Sequence, residues 1–260
     1  MITFSKLGQT GRLGNQMFQM AATIGIARAN NLLYGFPKWD YSHYFNSNIT
    51  ASHMHPKAFF KEIRLDYAPV RVSEYTDLDG YFMTEKYFKH CEEEVRAFFE
   101  WNPKTILKIL GKITHDAHSF NNDLEGKTCS IHVRRGDFLT LPGYFPVLDA
   151  DYYHRAIARM RLLVKKPLVF MVFSDDIAWC KQQFKGHMFH FSEGMSDIED
   201  LCLMSHCSHH IIANSSFSWW GAWLGQYSQK QVIAPNIWFG PENGWYDQQQ
   251  DIIPENWIRI

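Results

Sequence analysis

The stretch KTCSIHVRRGD (residues 127–137) predicts a buried strand that ends in two adjacent arginines, Arg134 and Arg135. A helical pattern, DADYYHRAIARMRLLV (149–164), follows it, and PLVFMVFSDD (167–176) predicts a second strand. A strand, a helix and another strand in this order favour a parallel sheet, because parallel neighbours need a long crossover connection.

The same alternation continues to residue 236. Helices are predicted at 177–184, 197–207 and 217–225, and strands at 187–192, 209–215 and 230–236. The second half of the chain is therefore expected to be an α/β domain whose parallel sheet is covered by helices on both faces. Ligands of such sheets bind beyond the carboxyl ends of the strands, which directs attention to HVRRGD, SDD and NSSFS.

The first half gives a weaker pattern. MITFSKL (1–7) predicts a short strand, and the turn GRLGN (11–15) opens a predicted helix that ends near Asn30 and Asn31. Helical stretches also lie at 84–99 and 103–113, but no topology is predicted for residues 35–122. The polar stretch 114–128 is the candidate linker, and it predicts two domains, residues 1–122 and 123–260.

The chain as a whole carries almost no net charge, with 26 Lys and Arg residues against 27 Asp and Glu residues. No global field draws it toward nucleic acid, so any anion site must be local. Five scattered cysteines, an odd number without a secretory leader, indicate reduced thiols in a cytoplasmic protein. No apolar run reaches the roughly 18 residues of a bilayer span, which leaves contact at a membrane surface open.

The two arginines of HVRRGD have two competing interpretations. A guanidinium is a planar fork that matches phosphate oxygens in pairs, so two arginines at a strand end suit a diphosphate. The alternative is an ion pair of Arg135 with Asp137 or Asp176 that fixes the loop, and the residues alone give the two interpretations about even weight. NSSFS (214–218) could bind an anion at a helix start or could simply cap that helix.

Several other clusters favour structural roles. SHCSHH (205–210) lacks a second paired set at zinc spacing, DAD (149–151) is expected to cap a helix, and SDD (174–176) ends a strand. The tryptophans at 219, 220 and 223 are expected in the core. A serine hydrolase is disfavoured because no G-x-S-x-G elbow is present.

Taken in order, GRLGNQMFQ, HVRRGDF, SDD, DLCLMSHCSHHIIANSSFSWWGAWL and VIAPNIWF resemble the α-1,2-fucosyltransferases of glycosyltransferase family eleven. HxRRxD and NSSFSWWGAWL are the specific motifs, whereas GRLGNQ is shared with related fucosyltransferases. The resemblance spans nearly the whole chain. It implies a GT-B architecture of two Rossmann-like domains facing a cleft, a GDP-fucose donor, inversion at the sugar carbon, and no required metal or other cofactor.

The resemblance also assigns roles to positions of this sequence. It implies an acceptor-side domain at 1–122 and a GDP-fucose-binding domain at 123–260, with Arg134 as the pyrophosphate clamp and Asp200 as the acceptor of the guanine NH groups. The glycine turn would meet the donor from the facing domain, and the serines would close its phosphate side. The implied donor-binding residues are Arg12, Gly14, Asn15, Gln16, His132, Arg135, Asp200, Asn214, Ser215, Ser216 and Ser218, and the implied catalytic residues are Arg134 and Asp137.

The expected reaction is attack by a sugar 2-hydroxyl on the anomeric carbon of GDP-β-L-fucose. Asp137 is the nearest carboxylate that could act as general base, although it could instead orient Arg134 or Arg135. Expected partners are GDP-fucose and an oligosaccharide or lipid-linked glycan, with peripheral membrane contact at the inner face left open and no nucleic acid. The alternatives are a transferase of another fucosyl linkage or nucleotide sugar, a protein O-fucosyltransferase, and a non-catalytic glycan-binding module, which HxRRxD disfavours.

Overall fold

The computed structural model describes residues 1–47, 55–112 and 126–260, and its chain divides into two compact units. Unit 1 comprises Met1–Thr105 and Asp247–Pro254, and unit 2 comprises Ile106–Tyr246 and Glu255–Ile260. The predicted domain boundary at 122/123 lies outside the described residues and stays a prediction.

Unit 1 contains a four-stranded parallel sheet, although no topology was predicted for most of it. Its strands are β1 (Ile2–Thr3), β2 (Tyr34–Gly35), β3 (Ala58–Lys61) and β4 (Thr76–Asp79), in the order β2-β1-β4-β3. The predicted strand near the start and the helix after the glycine turn are confirmed as β1 and α1 (Leu13–Ala29). Two further helices follow, α2 (Glu92–Phe98) and α3 (Pro103–Lys112).

The segment Asp247–Pro254 returns from the far end of the chain to unit 1. The Asp251 carboxylate accepts a hydrogen bond from the backbone NH of Tyr67 at 2.9 Å and pairs with Lys86 at 2.6 Å. The Gln248 side chain accepts from the backbone NH of Leu65 at 2.8 Å. These bonds join residues that are far apart in the sequence, so local sequence patterns could not predict them.

Unit 2 is the α/β domain that the alternating pattern predicts. Its six parallel strands are β5 (Thr128–Val133), β6 (Val169–Ser174), β7 (Phe189–Phe191), β8 (His209–Ile211), β9 (Val232–Ala234) and β10 (Ile258–Arg259). The helices between them are α4 (Ala150–Val164), α5 (Ile177–Gln183), α6 (Asp197–Ser205) and α7 (Ser216–Leu224). Only β10 has no counterpart in the prediction.

The helix cap and core predictions for unit 2 are also confirmed. The Asp149 side chain accepts from the backbone NH of Tyr152 at 2.9 Å and caps α4. Trp219, Trp220 and Trp223 are buried, because α7 is apolar all round and lies inside the fold. In the described ranges, no helix combines the length and apolar character that crossing a bilayer requires.

The strand order determines where each unit can bind a ligand. The order in unit 2 is β10-β9-β8-β5-β6-β7, so the chain leaves β5 toward β6 on one side and later returns to β8 on the other. Unit 1 has the same feature at β1, which pairs with β2 on one side and β4 on the other. Such a reversal opens a crevice at the carboxyl ends of the two adjacent strands. HVRRGD spans the end of β5 and the loop after it, NSSFS follows β8, and GRLGN spans the turn before α1 and the first residues of α1.

Candidate functional site

Arg134 lies just beyond the end of β5, at the switch point of unit 2. Its guanidinium pairs with the carboxylates of Asp137 and Asp175, the latter at 2.7 Å from Nη1. The ring of Phe138 lies 5.4 Å from the guanidinium carbon. Two carboxylates and an aromatic ring thus hold a cationic fork at the point where the topology places a ligand.

Arg135 turns to a different set of partners. Its Nε pairs with Asp176 at 3.0 Å, and its guanidinium carbon lies 4.3 Å from the centre of the Trp179 ring. The expected ion pair of Arg135 with Asp176 is therefore present, and the assignment of Arg135 to donor binding stays a prediction. The stacked and paired guanidinium holds the loop after β5 against the start of α5.

Asp175, which the sequence did not single out by itself, connects the two arginines. Its carboxylate accepts a hydrogen bond from the backbone NH of Arg135 at 2.9 Å in addition to the pair with Arg134. Gly136 lies against it so closely that a Cβ there would come within 2.5 Å of an Asp175 oxygen. A side chain at position 136 would therefore displace the Asp175 carboxylate from its place between the two arginines.

His132 is the second-last residue of β5, two positions before Arg134. It is 5% exposed, and burial, with the charge of Arg134 adding to it, lowers the pKa of His132 to about 3. The ring is therefore neutral near neutral pH. Its Nδ1 is buried without a hydrogen-bond partner in the described residues, and its ring lies 5.3 Å from that of Phe217. That ring contact joins the end of β5 to the first turn of α7.

The NSSFS loop joins β8 to α7. Ser215 is the N-cap residue of α7, and Ser215 and Ser216 are half-buried at its first turn. Ser218 is fully buried, and its hydroxyl lies 3.4 Å from the Ala213 carbonyl, to which it donates. Ser218 therefore shapes the turn from inside, whereas Ser215 and Ser216 lie at its surface.

Asn214 holds this loop to two others. Its side-chain NH₂ donates to the carbonyls of Pro146 and Trp238, each at 3.0 Å, while its Oδ1 is buried without a partner in the described part of the chain. A buried acceptor of this kind is costly unless something donates to it. Asn214 thus positions the loop and keeps one acceptor available.

Asp200 lies on the first turn of α6, next to the end of β7. The Ser192 hydroxyl donates to its carboxylate at 2.5 Å. Burial, reinforced by the nearby charges of Glu199 and Asp197, raises the pKa of Asp200 to about 6 in spite of that bond. A half-buried carboxylate that retains a free oxygen can accept hydrogen bonds from a ligand NH group.

These residues lie along one edge of a single sheet, in the strand order β8, β5, β6, β7. Adjacent strands are about 4.8 Å apart, so the carboxyl ends of β5 and β7 are separated by about 10 Å. A nucleoside diphosphate has comparable length from phosphate to base. The edge can therefore take an anion at Arg134 and a base near Asp200.

The glycine turn of unit 1 is built around Gly11 and α1. Gly11 has a φ of +76°, and a Cβ there would come within 2.6 Å of Asn15. Arg12 is the exposed N-cap residue of α1, Gly14 is buried and Asn15 is half-buried in the first turn. The Gln16 side chain accepts from the Trp39 indole at 2.8 Å and donates to the Gly11 carbonyl at 3.1 Å, so it holds the turn from within.

No group of His, Cys, Asp and Glu among the described residues is arranged to hold a metal ion. The carboxylates that could have done so have other partners, since Asp175 and Asp176 pair with arginines and Asp149 caps α4. In SHCSHH, the ring of His206 bonds to the Cys202 carbonyl at 2.8 Å and that of His210 to Ser130 at 2.8 Å.

Several known proteins are similar to this chain in sequence. Over 189 residues, 69% of this chain, it is 32% identical to the O-antigen biosynthesis glycosyltransferase WbnK of Escherichia coli. It is 38% identical over 166 residues (60% of this chain) to an alpha-1,2-colitosyltransferase of E. coli, and 26% identical over 242 residues (82%) to galactoside 2-alpha-L-fucosyltransferase Sec1 of Mus musculus. The matched segments span 60%, 53% and 62% of those proteins, so this chain spans less than two thirds of their length.

The fold has a counterpart among solved structures. POFUT1 in complex with GDP superposes with a TM-score of 0.53, covering 90% of this chain and 97% of that one at 12% identity, which supports the GT-B-like α/β fold class. The profile of glycosyl transferase family 11 matches residues 4–260, nearly the whole sequence. On that match, and on the HxRRxD and NSSFS loops at one switch point, the chain belongs to glycosyl transferase family 11.

Proposed function

We propose that this chain is an inverting galactoside α-1,2-fucosyltransferase that moves L-fucose from GDP-β-L-fucose to the 2-hydroxyl of a galactose-terminated glycan. Membership of the family supports glycosyl transfer, and the names of two relatives support an α-1,2 linkage and a galactoside acceptor. The main support for the proposed donor site is the position of Arg134, which two carboxylates hold at the switch point of unit 2.

The donor would lie along the carboxyl edge of the unit 2 sheet. Its pyrophosphate would contact Arg134 together with the first turn of α7 at Ser215 and Ser216, where the helix dipole favours an anion. Its guanine would donate to Asp200. His132 Nδ1 and Asn214 Oδ1, which are buried without partners in the described residues, would each gain a hydrogen bond from contact with the nucleotide.

Unit 1 offers further candidates for donor binding. Arg12, Gly14 and Asn15 lie at the start of α1, where the helix dipole favours phosphate or sugar oxygens. Gln16 and Ser218 would act indirectly, because both are buried and bonded within their own turns. We propose that unit 1 binds the acceptor.

The reaction needs charge to be stabilised on the departing diphosphate. As the acceptor oxygen bonds to the fucose anomeric carbon, the bond from that carbon to the phosphate oxygen breaks and its electron pair stays on GDP. Arg134 stabilises this developing charge, so the leaving group can depart without a metal ion. Attack from the opposite face inverts the β-linked donor to an α-fucoside.

Asp137 has two candidate roles in this reaction. Its side chain is half exposed and pairs with Arg134, so it orients the guanidinium in the described structure. It is also the carboxylate of the motif that could accept the proton of the attacking hydroxyl. An Asp137→Asn variant separates the roles: loss of a base removes the acid limb of the pH–rate profile, whereas loss of orientation lowers turnover at every pH.

One observation favours a different donor sugar. The relative at 38% identity is named as an alpha-1,2-colitosyltransferase, so the alternative donor is a GDP-linked sugar other than fucose. Transfer to protein has weaker support, since the likeness to POFUT1 at 12% identity concerns the fold alone. A non-catalytic glycan-binding module would have no use for the paired Arg134.

The test combines nucleotide binding with turnover. Thermal shift with GDP, UDP and CMP should show stabilisation by GDP that grows with the logarithm of its concentration above the dissociation constant. GDP-fucose turnover should then be measured on a panel of galactose-terminated oligosaccharides, with GDP-colitose as the competing donor. Equal stabilisation by GDP and UDP would refute the fucosyl donor, and hydrolysis without transfer to any galactoside would refute the acceptor.

A further inference from the structure

The outer face of the β3 edge strand carries an unusual set of exposed side chains. Among the described residues, β3 is an edge strand of the unit 1 sheet and pairs with β4 alone. Backbone bonds from Lys57 to the Tyr75 carbonyl and from Glu62 to the Asp79 carbonyl, both 2.8 Å, extend the pairing beyond the strand at each end. Residues 57–62 are therefore extended, and alternate side chains point to opposite faces.

One of these faces is buried and the other is open to water. The Phe60 ring lies 6.4 Å from that of Phe82, and Glu62 is buried. On the opposite face, Phe59 is 78% exposed and Ile63 is 86% exposed, the two highest values among large hydrophobic side chains of the described residues. We call Lys57, Phe59, Lys61 and Ile63 the β3 edge surface.

The charges on this surface are positive and uncompensated. Within the described residues, neither Lys57 nor Lys61 takes part in an ion pair, and the Lys57 ammonium lies 4.8 Å from the half-exposed Tyr75 ring. Asp79, opposite Lys61, is paired with Lys6, and the exposed Glu74 beside Tyr75 lies 3.9 Å from the Met1 ammonium.

Alternating cationic and apolar side chains fit one partner chemistry well. Apolar side chains gain free energy by leaving water for the acyl boundary, while lysines reach back to anionic headgroups and keep their ammonium groups hydrated. Lysines on an edge strand also discourage pairing with a second strand, which argues against another copy of this chain as the occupant. We propose that the β3 edge surface binds the surface of an anionic membrane.

The proposal is tested by flotation of the protein with lipid vesicles. The parent should float with phosphatidylcholine vesicles that contain phosphatidylglycerol, should not float with phosphatidylcholine alone, and should be released by high salt, which screens exposed charges. Phe59→Ser with Ile63→Ser, and separately Lys57→Glu with Lys61→Glu, should each reduce the bound fraction by about tenfold or more.

A matched control comes from α4 of unit 2. Arg159→Glu with Leu162→Ser removes one exposed cation and one exposed apolar side chain (68% exposed) and should leave flotation unchanged. Stabilisation by GDP, measured on every variant, reports an intact fold and does not depend on membrane binding. The proposal fails if the parent ignores anionic vesicles, if the β3 variants float like the parent, or if those variants instead dissociate a dimer.

Discussion

The carboxylate of Asp175 bonds to both arginines of the HxRRxD motif, to Nη1 of Arg134 at 2.7 Å and to the backbone NH of Arg135 at 2.9 Å. Asp176, the next residue, pairs with the Arg135 side chain at 3.0 Å and caps α5 by accepting from Trp179 NH at 3.1 Å. The end of β6 thus fixes the loop after β5 through two carboxylates with separate tasks.

We therefore expect Asp175→Asn and Asp176→Asn to differ. Asp175→Asn removes the charge that holds the Arg134 fork and should lower turnover by about tenfold, or about 1.4 kcal/mol of transition-state stabilisation. Asp176→Asn can still cap α5, and it should lower stability by about 1 kcal/mol while turnover stays within about threefold. Steady-state kinetics and thermal melting of both variants decide this, and equal losses of turnover would contradict it.

The two arginines should respond differently to a change that keeps their charge. Arg134→Lys loses the bidentate fork and should lower turnover by about two orders of magnitude or more, roughly 3 kcal/mol, with the melting temperature close to that of the parent. The loss should fall on kcat, because charge on the leaving group is greatest in the transition state.

Arg135→Lys is the matched control for that experiment. It loses the stacking on Trp179 and the geometry of the Asp176 pair, so we expect a stability loss of about 1 kcal/mol and nearly parental turnover. The opposite outcome, with turnover lost in Arg135→Lys and retained in Arg134→Lys, would move the pyrophosphate role to Arg135. Full activity of both variants would remove that role from the loop.

Binding of GDP should depend on pH through Asp200. Burial raises the pKa of Asp200 to about 6, so below that pH the carboxyl takes up a proton and accepts the guanine NH groups poorly. Calorimetric GDP affinity should fall by about tenfold per pH unit below about 6. Asp200→Asn should bind GDP more weakly and without this pH dependence, and a parental affinity in that variant would reassign the guanine contact.

The same burial affects stability in the opposite direction. Because the pKa of Asp200 is higher in the folded chain than its ordinary value of 3.8, the folded state retains a proton that the unfolded state releases as the pH rises from about 4 to about 6. Stability from this group therefore falls over that range and does not recover above it. Without nucleotide, Asp200→Asn should melt at a higher temperature than the parent at neutral pH.

Turnover should survive chelation of divalent ions. We expect this because Arg134 supplies the positive charge that stabilises the leaving diphosphate. Asp149, Asp175 and Asp176, the carboxylates that could bind a metal, already have partners within the protein. Activity is compared before and after EDTA, with and without added magnesium or manganese. If EDTA abolished turnover and a metal restored it, the carboxylates after β6 would have to be metal ligands.

Local patterns were sufficient for the α/β part of unit 2. Every strand and helix predicted between residues 127 and 236 is present, because each apolar run and each helical period is bounded by its own turn or cap residues. The end of β5 was placed too late: pairing with β6 stops at Val133, so both arginines lie in the loop. Alternation along a strand therefore says nothing about where they point.

Unit 1 shows where such patterns fail. Its strands are two to four residues long, which is too short for a period to be recognised, and one packs its inner face through Phe60 alone. The return of Asp251 to Tyr67 joins residues 184 positions apart, and no local signal marks it.

The sequence by itself determined the class of the fold, the edge of the sheet at which a ligand is expected, and the motifs that place the chain in its family. These follow from periodicity and from residue chemistry, which are local properties. Only the tertiary structure decided which carboxylates and which aromatic ring each arginine contacts. That choice depends on Asp175, Asp176 and Trp179, which lie about 40 residues further along the chain and reach the motif because β5 pairs with β6.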